Sequence, residues 1–155
     1  MSDQNPALQV SIRDLPAVHA ACIRCPAQAD QSQFSQAVRE SFQKLQHWVK
    51  GLGHDPYTLL TIGVIHQAGG QLSHYDCCVQ VPEGAPAGGG EITFQDLPGG
   101  RYAVLTINKD PAVIGPTIGR FYQEYLPQSG LQADARRPTC EIYFEHTMEY
   151  CVPLA

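Results

Sequence analysis

Glu141 sits inside an apolar and aromatic run, Cys140-Glu-Ile-Tyr-Phe144. Alternation along a strand puts Glu141 and Tyr143 on one face and Ile142 and Phe144 on the other. A carboxylate among apolar side chains is costly unless it is partnered. Placed in a cleft, it could hold a cation, act as a general base or stabilise a developing positive charge. The alternative is a glutamate on a solvent face or paired with arginine. Aromatic side chains supply the matching chemistry, because their faces stack on planar ligands and attract cations. The set is Trp48, Tyr75, Tyr102, Phe121, Tyr122, Tyr125, Tyr143 and Tyr150. Phe121 and Tyr125 fall on a helical stripe and are assigned to the core. Trp48 is expected at the helix end nearest a cleft, where lining and core roles both stay open.

Other candidate chemistry is weaker. Cys22-Ile-Arg-Cys25 is a Cys-x-x-Cys, but it ends a strand and runs into Pro26. A redox pair normally opens a helix, whose N-terminus lowers the thiol pKa. Cys77 and Cys78 are adjacent, so on a strand they point to opposite faces and cannot share a zinc ion. The six cysteines are expected as structural thiols. The six histidines show no His-x-x-x-His pair, and nothing marks a haem ligand. No metal and no cofactor is expected. There is no Gly-x-Ser-x-Gly nucleophile motif.

The elements that must carry these residues come in two copies. Val10-Ser-Ile-Arg-Asp-Leu-Pro-Ala-Val-His-Ala-Ala recurs as Ile92-Thr-Phe-Gln-Asp-Leu-Pro-Gly-Gly-Arg-Tyr-Ala, which aligns Asp14 with Asp96. Each copy predicts a strand, a proline-bearing turn and a second strand. A helix follows over about residues 33–50, where Phe34, Val38, Phe42, Leu45, Trp48 and Val49 step by three or four. Asp30 or Ser32 caps its start, and Gly51 and Gly53 stop it. In the second copy Ile114, Ile118, Phe121 and Tyr125 form the stripe. That helix is expected to start near Pro116 and to end at Leu126, before Pro127. Two strands follow each helix, at 59–66 and 75–81 and then at 140–145 and 148–153. Cys78-Val79 corresponds to Cys151-Val152.

The predicted architecture is α+β: tandem β-α-β-β repeats with pseudo-twofold symmetry. Two helices lie on one face of an antiparallel sheet, with a cleft between the halves. Residues 1–155 form one domain, with halves at about 8–82 and 91–155. The Gly-rich stretch 83–90 joins them. It is not a phosphate loop, because no Lys-Ser/Thr and no helix follow.

Composition narrows the class of function. At 155 residues with 43% apolar content, the chain has enough for one packed core. A net charge of −5 argues against a nucleic-acid surface. No apolar run is long enough for a membrane span, and the N-terminus lacks the features of a secretory signal. The expectation is a cytoplasmic protein with no direct DNA binding and no membrane association. Oligomeric state is left open.

Leu97-Pro-Gly-Gly-Arg-Tyr-Ala103, Tyr125-Leu-Pro-Gln-Ser-Gly130, Cys140-Glu-Ile-Tyr143 and Tyr150-Cys-Val-Pro-Leu154 resemble the GyrI-like family, also called AraC-type or BacT-type effector-binding domains. Leu45-Gln-His-Trp48 and His74-Tyr-Asp76 fit the same pattern. Where such families carry an acidic Asp-Asp-Pro stretch after the third strand, this chain has His66-Gln-Ala-Gly-Gly. The resemblance implies a tandem-repeat (SHS2-type) fold and a cleft for an apolar or cationic aromatic compound. It also implies a glutamate at the base of that cleft, matching Glu141. Some relatives carry a helix-turn-helix reader, which is not expected here. Others bind DNA gyrase, or hydrolyse strained cyclopropane-type toxins. The expected ligand-binding residues are Glu141, Trp48, Tyr75, Tyr102, Tyr143 and Tyr150. If the pocket turns its ligand over, Glu141 and Tyr143 carry the catalysis, with Tyr143 or Tyr102 orienting the substrate. Sensing or sequestration of a small molecule, hydrolysis in the same pocket, and gyrase modulation are the three functions in view.

Overall fold

The structure is a computed structural model that describes residues 7–82, 84–86 and 89–155. The expectation of no signal sequence concerns the first six residues, which lie outside the described ones. So do Glu83, Ala87 and Gly88 of the expected linker.

The first repeat contributes β1 (Gln9–Leu15), β2 (Val18–Pro26), α1 (Gln31–Gly51), β3 (Thr61–Ala68) and β4 (Gln71–Gln80). The second contributes β5 (Thr93–Leu97), β6 (Gly100–Asn108), α2 (Pro111–Arg120), β7 (Thr139–Tyr143) and β8 (Thr147–Pro153). α2 runs on through a π-helical stretch, Phe121–Tyr125, into α3 (Leu126–Ser129). All eight strands join one antiparallel sheet in the order β1-β6-β8-β7-β3-β4-β2-β5.

That order is symmetric. Exchanging each strand for its repeat counterpart reverses the list and leaves it unchanged. The register agrees with the sequence repeat. Under the offset that carries Asp14 to Asp96, the pair Leu15–Gly100 becomes Leu97–Val18, which is also a pair. The leading strands cross over: β1 pairs with β6 of the second repeat, and β5 with β2 of the first. The strand-turn-strand units read from sequence are therefore not hairpins. Pro16 and Pro98 sit in the turns, and each turn sends its leading strand to the other half.

One row of side chains crosses the sheet on a single face. Leu105 faces Tyr150, Tyr150 faces Glu141, Glu141 faces Gly63, Gly63 faces Cys77, and Cys77 faces Ile23. α1 covers one end of this row. Its side chains Leu45 and Val49 are buried against Ile23, Cys77 and Val79. The segment from α2 onward covers the other end, with Phe121 fully buried among Leu105, Tyr150 and Val152. Burial of each large apolar side chain stabilises the fold by about 1.5–3 kcal/mol. Leu45→Ala would cost about 2–5 kcal/mol, because a cavity adds to the lost transfer energy. The opposite face buries Cys22, Ile62, Val64, Cys78, Val104, Cys140 and Cys151.

α1 forms as its pattern predicts. The Asp30 carboxylate accepts from the backbone N–H of Ser32 and Gln33. The helix stops just before Gly53, whose φ of 85° favours glycine. At the β3–β4 turn, Gly69 and Gly70 both hold positive φ, 61° and 79°.

The second helix departs from expectation. It starts at Pro111, with the Asp110 carboxylate accepting from the Ala112 N–H, and it carries Pro116 inside. It does not end before Pro127 but continues to Ser129, where Gly130 closes it at φ 75°. A proline ring clashes with the carbonyl four residues earlier. For Pro127 that residue is Gln123, inside the π-helical stretch, whose wider turn relieves the clash.

Candidate ligand-binding site

Glu141 lies at the middle of the sheet, on the face that carries both helices and between them. It arrives there by symmetry. Cys77 is the repeat counterpart of Tyr150, and it faces Gly63 as Tyr150 faces Glu141. Gly63 is thus the counterpart of Glu141, and the pseudo-axis passes between the two. The missing side chain at position 63 is used. Tyr75, one pair along β4, lays its phenol over Gly63, and a Cβ there would collide with the Tyr75 hydroxyl.

This crossing brings three oxygens together. The Tyr75 hydroxyl donates to Glu141 Oε1 at 2.8 Å, and the Tyr143 hydroxyl donates to the same oxygen at 2.7 Å. The two phenol oxygens are 2.6 Å apart. Two hydroxyl protons serve three contacts, so either both point at the carboxylate or one phenol donates through the other. Burial pushes both phenols well above the ordinary tyrosine range, reinforced in each by the charge of Glu141 and in Tyr75 also by Tyr143. They remain neutral donors. Among the described residues no cation pairs with Glu141, and its second oxygen, Oε2, has no side-chain partner. The carboxylate charge is thus softened by dipoles but not neutralised.

Aromatic rings wall the groove. From α1, Phe42 meets Tyr143 edge-on at 5.8 Å, and Phe34 meets Tyr75 edge-on at 6.4 Å. From the π-helical stretch, the Tyr122 hydroxyl lies 3.0 Å from that of Tyr150. The extra residue in the π turn leaves Phe121 in the core and Tyr122 partly exposed above Tyr150. Burial pushes the Tyr150 phenol up as well, with Tyr122 adding to the effect. Two hollows border tyrosines of this cluster, neither of them lined by Glu141 itself. A hollow of about 760 Å³ is bordered by Tyr143, Thr61, Leu59 and Lys109. Another, of about 560 Å³, is bordered by Ile65, Thr139, Tyr122 and Tyr150. Each is the size of a drug-like ligand site.

Of the residues expected from sequence, Glu141, Tyr75, Tyr143 and Tyr150 meet in this groove. Trp48 and Tyr102 do not. Trp48 turns outward from α1 onto Phe94 of the edge strand β5, at 5.9 Å. Tyr102 is on the opposite sheet face, where its hydroxyl donates to the Pro98 carbonyl at 2.8 Å and Arg137 stacks on its ring. It cannot orient a substrate against Glu141. The sequence set omitted Gly63, Phe34 and Phe42, and it named Tyr122 only among the candidate aromatics without assigning it to the ligand. The α1 stripe was legible, but it does not tell which edge of the stripe faces the second helix. A small apolar cavity of about 70 Å³ borders Tyr102, Leu97 and Pro98 on the far face, too small for an aromatic compound. Cys22 and Cys25 belong to opposite faces, which removes them as a redox pair. All six thiols are free and buried, and burial pushes Cys140 and Cys151 up to about 12.

An antiparallel sheet with two helices on one face and a carboxylate-floored aromatic groove between them defines a small-molecule-binding α+β domain. Residues 8–155 match the GyrI-like small molecule binding domain family, and the chain belongs to it. Solved structures show the same fold. The C-terminal domain of EcmrR superposes with a TM-score of 0.69 at 13% identity, over 96% of this chain and 98% of that one. EcmrR in its DNA complex gives 0.73 at 15% identity over 95% of this chain, which spans 57% of that protein's length. A hydrolase from Listeria innocua gives 0.65 at 10% identity, with 97% and 94% covered. No curated protein is similar enough in sequence to match. Among the described residues, no helix is long and apolar enough to cross a membrane.

Proposed function

We propose that this domain binds a cationic or apolar aromatic compound in the groove between its helices, with Glu141 as the charge-recognising group. The carrying observation is the state of that carboxylate. It accepts hydroxyl protons from Tyr75 and Tyr143 on Oε1, and among the described residues no cation pairs with it. A ligand cation would supply the missing counter-charge, and its flat surface would stack on Phe42, Tyr143, Tyr122 or Tyr150. Binding of this kind serves sensing or sequestration, in keeping with the effector-domain architecture shared with EcmrR. The test compares a cationic dye with a neutral dye of the same shape on the wild type and on Glu141→Gln. A selective loss for the cation supports the assignment.

A second reading is favoured by the three-oxygen cluster. Tyr75, Tyr143 and Glu141, at 2.6–2.8 Å from one another, can hold and relay a proton. In that reading Glu141 takes a proton from water as the water attacks a strained electrophile, and a tyrosine hydroxyl protonates the leaving atom. A similarly folded neighbour is described as a hydrolase. Product analysis of any bound electrophile separates the two, because the binding role predicts intact ligand after prolonged incubation. The gyrase-directed role has no comparable observation behind it.

A further inference from the structure

We propose that His66, His74 and Asp76 form a binding site for a late first-row divalent metal ion such as zinc. The site lies on the β3–β4 hairpin, on the sheet face opposite Glu141. His66 and His74 are cross-strand partners, and Asp76 is the next residue but one along β4, on the same face. Their imidazole rings stack with centroids 4.3 Å apart and planes 23° apart. The Nε2 atoms of His66 and His74 lie 3.2 and 3.9 Å from Asp76 Oδ2. All three ligand atoms fall within 4.8 Å of one another.

The unusual feature is what these nitrogens do not do. Both Nε2 atoms are shielded from water, yet neither has a hydrogen-bond partner. His66 is near enough to Asp76 for a hydrogen bond, so the failure is one of direction: its in-plane vector misses the carboxylate. Buried polar nitrogens without partners are rare and costly. A metal ion bound by both nitrogens would satisfy the two together.

The surroundings fit. Asp76 is fully buried, with Arg24 Nε donating to Oδ1 at 3.2 Å and Gln95 Nε2 to Oδ2 at 3.4 Å. Such outer donors commonly fix a ligating carboxylate. Two imidazoles and one carboxylate suit zinc and its neighbours, and three protein ligands leave a fourth position for water. Metal–ligand bonds of about 2.0–2.2 Å in a tetrahedron place donor atoms about 3.3 Å apart. The His66–Asp76 distance already meets this, and His74 must close on both partners through a side-chain rotation. The His66 side chain is 32% exposed, which gives an ion a way in. Bound metal would tie β3 to β4. Those strands present Gly63 and Tyr75 on the other face.

Cobalt(II) and zinc(II) titrations of the metal-stripped wild type, His66→Gln and His74→Gln test the site. All three are first checked for native circular dichroism. The expected result is about one ion per chain, a rise in Tm with zinc, and cobalt d–d bands without a thiolate charge-transfer band. Each histidine variant should lose about tenfold or more in affinity, and with it the zinc-dependent rise in Tm. Three results would each overturn the proposal: no saturable binding to the wild type, undiminished affinity in both folded variants, or a thiolate band that places the ion on cysteine.

Discussion

Glu141→Gln removes one charge and little else. Glutamine has the same shape, and its amide oxygen can still accept from the Tyr75 and Tyr143 hydroxyls that now meet at Oε1. A ligand cation about 4 Å from the carboxylate gains on the order of 4 kcal/mol at an effective dielectric near 20. Glu141 is only partly buried, so solvent screening reduces this, and stripping water from the cation offsets more. A net loss of about 1–2 kcal/mol remains, or about 5- to 30-fold in Kd. The neutral dye should change by less than about threefold. Raising ionic strength should shrink the wild-type preference for the cation and leave the variant unmoved. Calorimetric or fluorescence titration of both dyes against both proteins at two salt concentrations measures all of this. Equal losses for the two dyes would show that the carboxylate only holds the tyrosines in place. Unchanged binding would put the ligand elsewhere on the molecule.

Gly63→Ala should push the Tyr75 phenol off Glu141, because the new Cβ occupies its place. We expect about 1–3 kcal/mol of destabilisation in urea melts, together with weakened binding of both dyes. Tyr102→Phe breaks the hydroxyl bond to Pro98 and should cost about 1 kcal/mol, while dye affinity stays at wild type because the residue is on the far face. The Asp134 carboxyl is held down at about 2 by the Arg136 backbone N–H and by Arg137. A depressed carboxyl contributes stability above its unfolded value near 4 and loses it as pH falls toward 2. Acid unfolding of Asp134→Asn should therefore show a shallower slope across that window, and identical slopes would remove Asp134 from the acid response. The net charge of −5 predicts no mobility shift of random duplex DNA at low salt, and a salt-sensitive shift would contradict it.

Several of these elements were legible in the sequence because they follow from local periodicity. The α1 stripe and its Asp30 cap need only a 3.6-residue period and a side chain that can accept from the first turn. Strand alternation alone put Glu141 with Tyr143, and it separated Cys77 from Cys78. The repeat offset relates the register of β1 with β6 to that of β5 with β2, although it did not say that these strands pair. Periodicity fixes which residues of one strand share a face, but not which strand lies alongside. The exchange of β1 and β5 between halves, the path of Tyr75 across Gly63, and the placement of Tyr102 on the far face all depend on pairing between distant segments. Trp48 was misplaced for the same reason, since a helical stripe does not say which of its edges meets the second helix. Prolines 116 and 127 signalled helix ends by local rules, yet packing of Ile114, Ile118 and Phe121 on the sheet carried the helix through both. Helical spacing was the wrong ruler for the histidines: His66 and His74 are eight residues apart in sequence and become direct neighbours only when the Gly69-Gly70 turn folds β4 back on β3.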